Sequence, residues 1–311
     1  MQLKLLPILV CILTHQAWSQ DVEPASKQLY TQEFSIQHDN DFLFAIDRYY
    51  TAGSFLRYSR KLEQDFIFKN TQEAPLQYDI IIGQETYTPR ELFVENFDSL
   101  ERPYAGYLFA RFNLTKAQKN SLYAVGLEIG LAGEQSGART LQLNYHSLIG
   151  AFMPVWSGQI ANSTHINLYG SYVKDYVIPN SNLFKNAALQ SSVAIGSRRM
   201  YARQEALLYI GDRAQVSTSS AYGQVGNTTE FYGVGGVGVE YVVLNALIEG
   251  NPLGDGSPFT LPAVPVVFSF KAGGVYRSHR NTYRIIYKFR TKETKREGRS
   301  QYVTFEFARR F

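Results

Sequence analysis

The chain has 311 residues, with 31 Lys+Arg against 27 Asp+Glu, and a formal charge of +4 is too mild to argue for a nucleic-acid partner. Tyr and Phe are abundant at 22 and 20, Gly is ample at 24, and Cys and Met are scarce at 1 and 3. That length suits one large β domain or two ordinary ones, and beyond the N-terminus no apolar run is long enough for a transmembrane helix.

Residues 1–19 read as a secretory signal, with Lys4 as a modest positive start, Leu5–Leu13 as apolar core and Ala17-Trp18-Ser19 as cleavage site. Cys11 falls inside it, after a poor lipobox, so residues 20–311 contain no cysteine and no disulfide or thiolate chemistry. The remainder reads as one all-β domain. Twelve strand-period segments begin near Tyr30, Tyr50, Gln77, Tyr104, Ser121, Asn162, Phe184, Arg203, Glu230, Pro262, Asn281 and Ser300. Alternation is cleanest in three of them. Tyr123, Val125, Leu127, Ile129 and Leu131 share one face; so do Tyr283, Ile285, Tyr287 and Phe289; so do Val303, Phe305, Phe307 and Phe311. The opposite faces carry Gly, Glu, Arg and Lys.

A soluble sandwich alternates too, with its apolar face inward. An even strand number, abundant Tyr and Phe, charged inner faces and a terminal aromatic, Phe311, favour a transmembrane antiparallel β-barrel of about 12 strands. Glu128 then faces the lumen, where it is expected to pair with Arg284 or Arg57. Asp212–Thr228 has no period and reads as a loop. Arg290–Arg299 (RTKETKREGR) reads as a solvated loop, with contact to lipid phosphates as the weaker alternative.

Between the fifth and sixth strands, Ala138–Gly150 reads as a short helix in a loop on the extracellular side. Gln142 and His146, four apart, share one face. Leu141, Tyr145 and Leu148 line the neighbouring face and are expected to pack against whatever the helix rests on. A histidine held with a polar partner one turn back can act as a general base. Asn40 and Asp41, with Asp47 nearby, offer the oxygens a hard cation takes, though an Asx-rich turn is the blander reading. They cannot both face the lumen on a regular strand, so a bulge or strand end is required. With both termini periplasmic, all of these residues come out at one barrel mouth. His165 and His279 read as structural, and none of Ser136, Ser147 and Ser157 sits in a G-x-S-x-G elbow.

His38–Gly53 (HDNDFLFAIDRYYTAG), Gly83–Pro89 (GQETYTP), Arg102–Gly106 (RPYAG) and Gln142-x-x-x-His146 occur in the order found in the outer-membrane lipid A 3′-O-deacylases, and the chain resembles that family over most of its length. The resemblance implies a twelve-stranded barrel of the bacterial outer membrane, and a monomer is the expectation. It implies hydrolysis of the 3′-linked acyloxyacyl ester of lipid A, with lipopolysaccharide as substrate, Ca²⁺ as cofactor and a site facing the outer leaflet. Carried over residue by residue, it makes His146 the base for a water, Gln142 its orienting partner, and Asn40, Asp41 and Thr51 the cation site. Where the family uses a lysine at the oxyanion, this chain offers Arg90 or Arg102. Trp156 is expected to anchor its loop at the membrane interface. A non-catalytic barrel (channel, adhesin or scaffold) and, further behind, a secreted sandwich are the rival readings.

Overall fold

The computed structural model describes residues 29–41, 47–181, 183–254 and 256–311; the signal assigned to 1–19 lies outside them. Its strands are β1 (Gln32–Asn40), β2 (Tyr49–Lys61), β3 (Leu76–Thr88), β4 (Ala105–Ala117), β5 (Ser121–Ala132) and β6 (Ser163–Val177), then β7 (Phe184–Gly196), β8 (Arg199–Asp212), β9 (Glu230–Asn245), β10 (Val266–Ser278), β11 (Asn281–Arg290) and β12 (Ser300–Arg310). Each pairs antiparallel with its sequence neighbours, and β1 pairs with β12, closing a barrel of simple meander order. Closure leaves no free sheet edge. Helix α1 (Ala138–Ile149) follows β5 and lies against β3 and β4, and the one-turn α2 (Ala246–Glu249) follows β9.

The pleat decides between barrel and sandwich. In β5, Tyr123, Val125, Leu127 and Ile129 point outward and Leu127 is 45% exposed, while Glu128 between them is buried. An apolar exterior over a charged interior is stable only where hydrocarbon surrounds the protein.

Two strand starts differ from expectation for local reasons. β8 begins at Arg199, earlier than Arg203, because a register shift between Met200 and Tyr201 interrupts the alternation that marks a strand. β10 begins at Val266 because Pro262 and Pro265 have no N–H to give a ladder; upstream only the isolated bridge Ala263↔Thr294 forms.

Inside, charges are matched across the lumen. The β4–β5 register sets Arg111 opposite Glu128, and these two form a short ion pair, with Tyr107 and Tyr169 also donating to the carboxylate. Glu128 therefore does not pair with Arg284 or Arg57, which meet Glu306 at 2.8 and 3.1 Å instead. An opposing register position on the next strand decides the Arg111–Glu128 and Arg284–Glu306 pairs, while Arg57 reaches Glu306 across β1.

The aperiodic 212–228 segment is a loop, as expected, and it folds into the mouth that carries the termini. Gln77 on β3 donates to Gly223 O at 2.8 Å and accepts from Val225 N at 2.9 Å. Arg277 donates to Thr218 O and Gln224 O, Arg284 to Ser220 O, and Arg310 to Gly226 O. Backbone carbonyls that water would otherwise satisfy are taken by guanidinium groups.

Candidate active site

The opposite mouth is where β1 ends, β2 begins and β5 hands over to α1. Helix α1 is bounded by two left-handed glycines, Gly137 (φ 71°) and Gly150 (φ 69°), the second with its N–H on the His146 and Ser147 carbonyls. Its start presses on the barrel wall because Gly106 of the RPYAG motif has no side chain. A Cβ there would lie 2.2 Å from Ser136 Oγ and 2.5 Å from Ala138 Cβ.

The helix rests on its polar face. Ala138, Gln142 and His146 are buried, whereas Leu141, Tyr145 and Ile149 are exposed and Leu148 is 84% exposed. The expected packing of Leu141, Tyr145 and Leu148 is thus reversed: Gln142 and His146 turn inward, Ala138 and Leu143 pack with Tyr104 and Trp156, and the apolar stripe faces outward, as do Phe152 and Met153 just beyond.

One carboxylate gathers the polar groups. Asp47, just before β2, accepts from Gln142 Nε2 at 3.0 and 3.2 Å and meets His146 Nε2 at 3.0 Å; the Thr51 hydroxyl also bonds to it. Burial raises the Asp47 carboxyl above the usual range, against the lowering influence of His146, Thr51 and Gln142. The other ring nitrogen of His146, Nδ1, donates to Phe152 O at 2.5 Å, which fixes the imidazole plane. Gln142 touches Asp47 rather than the histidine, and its own Oε1 accepts from Trp156 Nε1 at 2.8 Å. Trp156 is 5% exposed and stacks on Tyr104 at 5.0 Å. It is no interfacial anchor. Its φ of 57° turns the indole inward, a backbone setting that no periodicity reveals.

Asp41 lies one residue past β1, so the parity conflict is solved by a strand end. Its N–H reaches Thr51 O at 3.3 Å and its Oδ2 accepts from Arg48 N at 3.0 Å. The side chain is 2% exposed, and burial pushes its carboxyl up to about 8, with Arg48 N–H pulling down and the Asp47 charge pushing up. Thr51 sits at a register shift between Tyr50 and Ala52, its hydroxyl 2.7 Å from Thr88 Oγ1. Asn40 takes the outward parity of β1, where its amide lies 3.3 Å from His38 Nε2. Neither candidate arginine adjoins this cluster through a bond. Arg102, wholly buried, is held by Glu297 at 3.2 Å and Glu293 at 3.6 Å under the Tyr87 ring, and Arg90 stands in solvent beside Glu91. Arg102 braces the wall.

The structure therefore brings Thr51, Gln142 and His146 onto Asp47, with Asp41 behind the same turn and Asn40 on its outer side. From the sequence, Asp47 stands out only as a nearby oxygen. Its position four residues before Thr51, on a loop entering β2, was the available signal. Among the described residues no cluster of three His, Cys, Asp or Glu side chains is preformed for a metal. The oxygen set of a buried carboxylate, a half-buried one and a hydroxyl nonetheless suits a hard divalent cation, which would neutralise carboxylates that no Lys or Arg side chain pairs.

The family model described as outer membrane protein LpxR matches residues 6–311. The chain belongs to the LpxR family. Among solved structures, the LpxR-family barrel described above is similar to LpxR from Salmonella typhimurium, with a TM-score of 0.72 at 19% identity, covering 90% of this chain and 100% of that one. Looser likenesses are the β domain of the Bordetella autotransporter BrkA (TM-score 0.48, 8% identity, 91% and 100% covered) and the translocator domain of NalP from Neisseria meningitidis (0.44, 8%, 91% and 90%). No curated protein sequence matches. Family and fold together make this LpxR-family chain an outer-membrane β-barrel.

Proposed function

We propose that this chain is an ester hydrolase that removes the 3′-linked acyloxyacyl chain of lipid A in lipopolysaccharide, working as a monomer from the outer leaflet with a divalent cation, Ca²⁺ by its donor chemistry. What carries the reading is Asp47 holding His146, Gln142 and Thr51 on one carboxylate beside Asp41, in an LpxR-family barrel. His146 is the base. Its Nδ1–H is spent on Phe152 O, so Nε2 is the nitrogen left for the proton of an attacking water. That water has to enter between Nε2 and the Asp47 carboxylate, which now meet at 3.0 Å, and the carboxylate then stabilises the imidazolium that results. The water oxygen bonds to the ester carbonyl carbon. When the tetrahedral centre collapses, the bond to the sugar oxygen breaks and that oxygen takes the proton back from His146. Products are the acyloxyacyl fatty acid and a free 3′-hydroxyl.

Gln142 keeps Asp47 turned toward the imidazole, and Trp156 keeps Gln142 in place. Asp41, Asp47 and Thr51, with Asn40, are the residues that would hold the cation; bound there, it supplies Lewis-acid polarisation of the ester carbonyl. A channel would need an open lumen, whereas the segment after β8 is bonded across one mouth.

The test is lipid A mass spectrometry after expression in a host that lacks the activity. Wild type should release the acyloxyacyl mass, chelation should suppress that release, and His146→Ala should abolish it while the barrel still folds. Unchanged lipid A from folded, Ca²⁺-supplied wild type would refute the hydrolase.

A further inference from the structure

The loop between β11 and β12, residues 291–299, is basic, and it is built rather than loose. Buried Arg102 pairs with both Glu293 and Glu297 beneath it. Glu297 accepts from the N–H groups of Glu293 and Thr294 at 2.8 and 3.2 Å, and Thr294 Oγ1 donates to Glu101 O at 2.7 Å. Arg296 is pinned to the carbonyls of Asp98 and Leu100, and Val264 N donates to Glu293 O. This frame leaves Lys292, Lys295 and Arg299 exposed, with no hydrogen-bond or ion-pair partner among the described residues. A solvated loop needs no such frame, and holding three like charges in fixed positions costs energy unless an anion meets them.

Position supplies the rest. Gly298 N donates to Tyr49 OH at 2.8 Å, so the loop is tied to the residue that follows Asp47 and Arg48. Around the rim the order is the basic loop above β11 and β12, the catalytic turn above β1 and β2, then α1 above β3 and β4 with its apolar stripe outward. Cations stand on one side of the reacting centre and hydrocarbon-compatible surface on the other. An amphiphile whose acyl chains lie beside α1 brings its anionic groups to the loop.

We propose that Lys292, Lys295 and Arg299 bind the phosphorylated headgroup of the lipid substrate and so set its register over His146. The identity of the lipid rests on the hydrolase reading; the chemistry of the surface does not. The test compares binding of phosphorylated and dephosphorylated lipid A, in detergent micelles, to the intact protein, to the triple variant Lys292→Gln/Lys295→Gln/Arg299→Gln, and to Lys69→Gln/Lys119→Gln at the other mouth as a control.

Wild type and control should prefer the phosphorylated lipid by about tenfold or more, with the preference shrinking as salt rises. The triple variant should lose it, and its kcat/KM for hydrolysis should fall by a similar factor or more. Millimolar inorganic phosphate should leave the preference intact; displacement by it would make the loop a site for the free anion and overturn the assignment. An undiminished preference in the triple variant also overturns it. If no protein hydrolyses lipid A yet the preference follows the three cations, the headgroup site stands and the hydrolase reading falls.

Discussion

The two mouths of the barrel treat buried carboxylates in opposite ways. At the mouth with the termini, Arg277 lies between Glu33 at 3.4 Å and Glu230 at 3.3 Å, and Arg213 meets Asp175 at 2.5 Å. There guanidinium groups neutralise the acids and stitch the 212–228 segment in place. At the other mouth, Asp41 and Asp47 have no Lys or Arg side chain in ion-pair range among the described residues; Asp47 has His146, and Asp41 has a backbone N–H. The nearby Arg102 is spent on Glu293 and Glu297. Guanidinium pairing closes one end, whereas at the other the cost of burial falls on Asp41 and Asp47 and raises both carboxyls. Such a cost persists where the charge has work to do.

Replacing the acid that meets His146 should give the largest effect. Asp47→Asn removes the charge behind His146 but keeps the shape, so deacylation should fall about 10²–10⁴-fold with unfolding unchanged or slightly harder; retained activity in a lipid A assay would break the contrast. Arg277→Ala probes the paired mouth. It strands Glu230 and leaves Glu33 only Arg57 at 3.4 Å, so stability in detergent should drop by about 3–5 kcal/mol, and planar-bilayer conductance should appear, with the deacylation rate per folded molecule held. Trp156→Phe is the mildest change. It keeps the stacking on Tyr104 but removes the N–H to Gln142, worth about 0.5–1.5 kcal/mol, so kcat should fall about three- to tenfold with little change in KM.

Much of the architecture is legible in the chain. The alternation of β5, β11 and β12 marks outer and inner faces, and the left-handed glycines bracket α1 close to the expected Ala138–Gly150. Parity at Asn40 and Asp41 demanded a strand end, and β1 stops at Asn40. What stayed hidden depends on closure. Asp47 and Gln142 are 95 residues apart, and only the meander from β2 to β5 brings them within hydrogen-bond range. The 212–228 segment shows no period because its partners, Gln77 and Arg310 among them, lie far away along the chain. The faces of α1 were misread because amphipathicity says which sides differ; it does not say which side the protein keeps for itself.

That outward stripe on α1 has a consequence for biogenesis. In the aqueous periplasm, Leu141, Tyr145, Leu148 and Ile149 would be an exposed oily ridge, favouring either chaperone capture or a helix that has not yet docked. Only after the strands enter the bilayer does this ridge find a solvent that suits it, and only a docked helix carries His146 to Asp47. Bilayer insertion then favours the docked helix that sets His146 against Asp47, the contact on which the proposed hydrolysis rests.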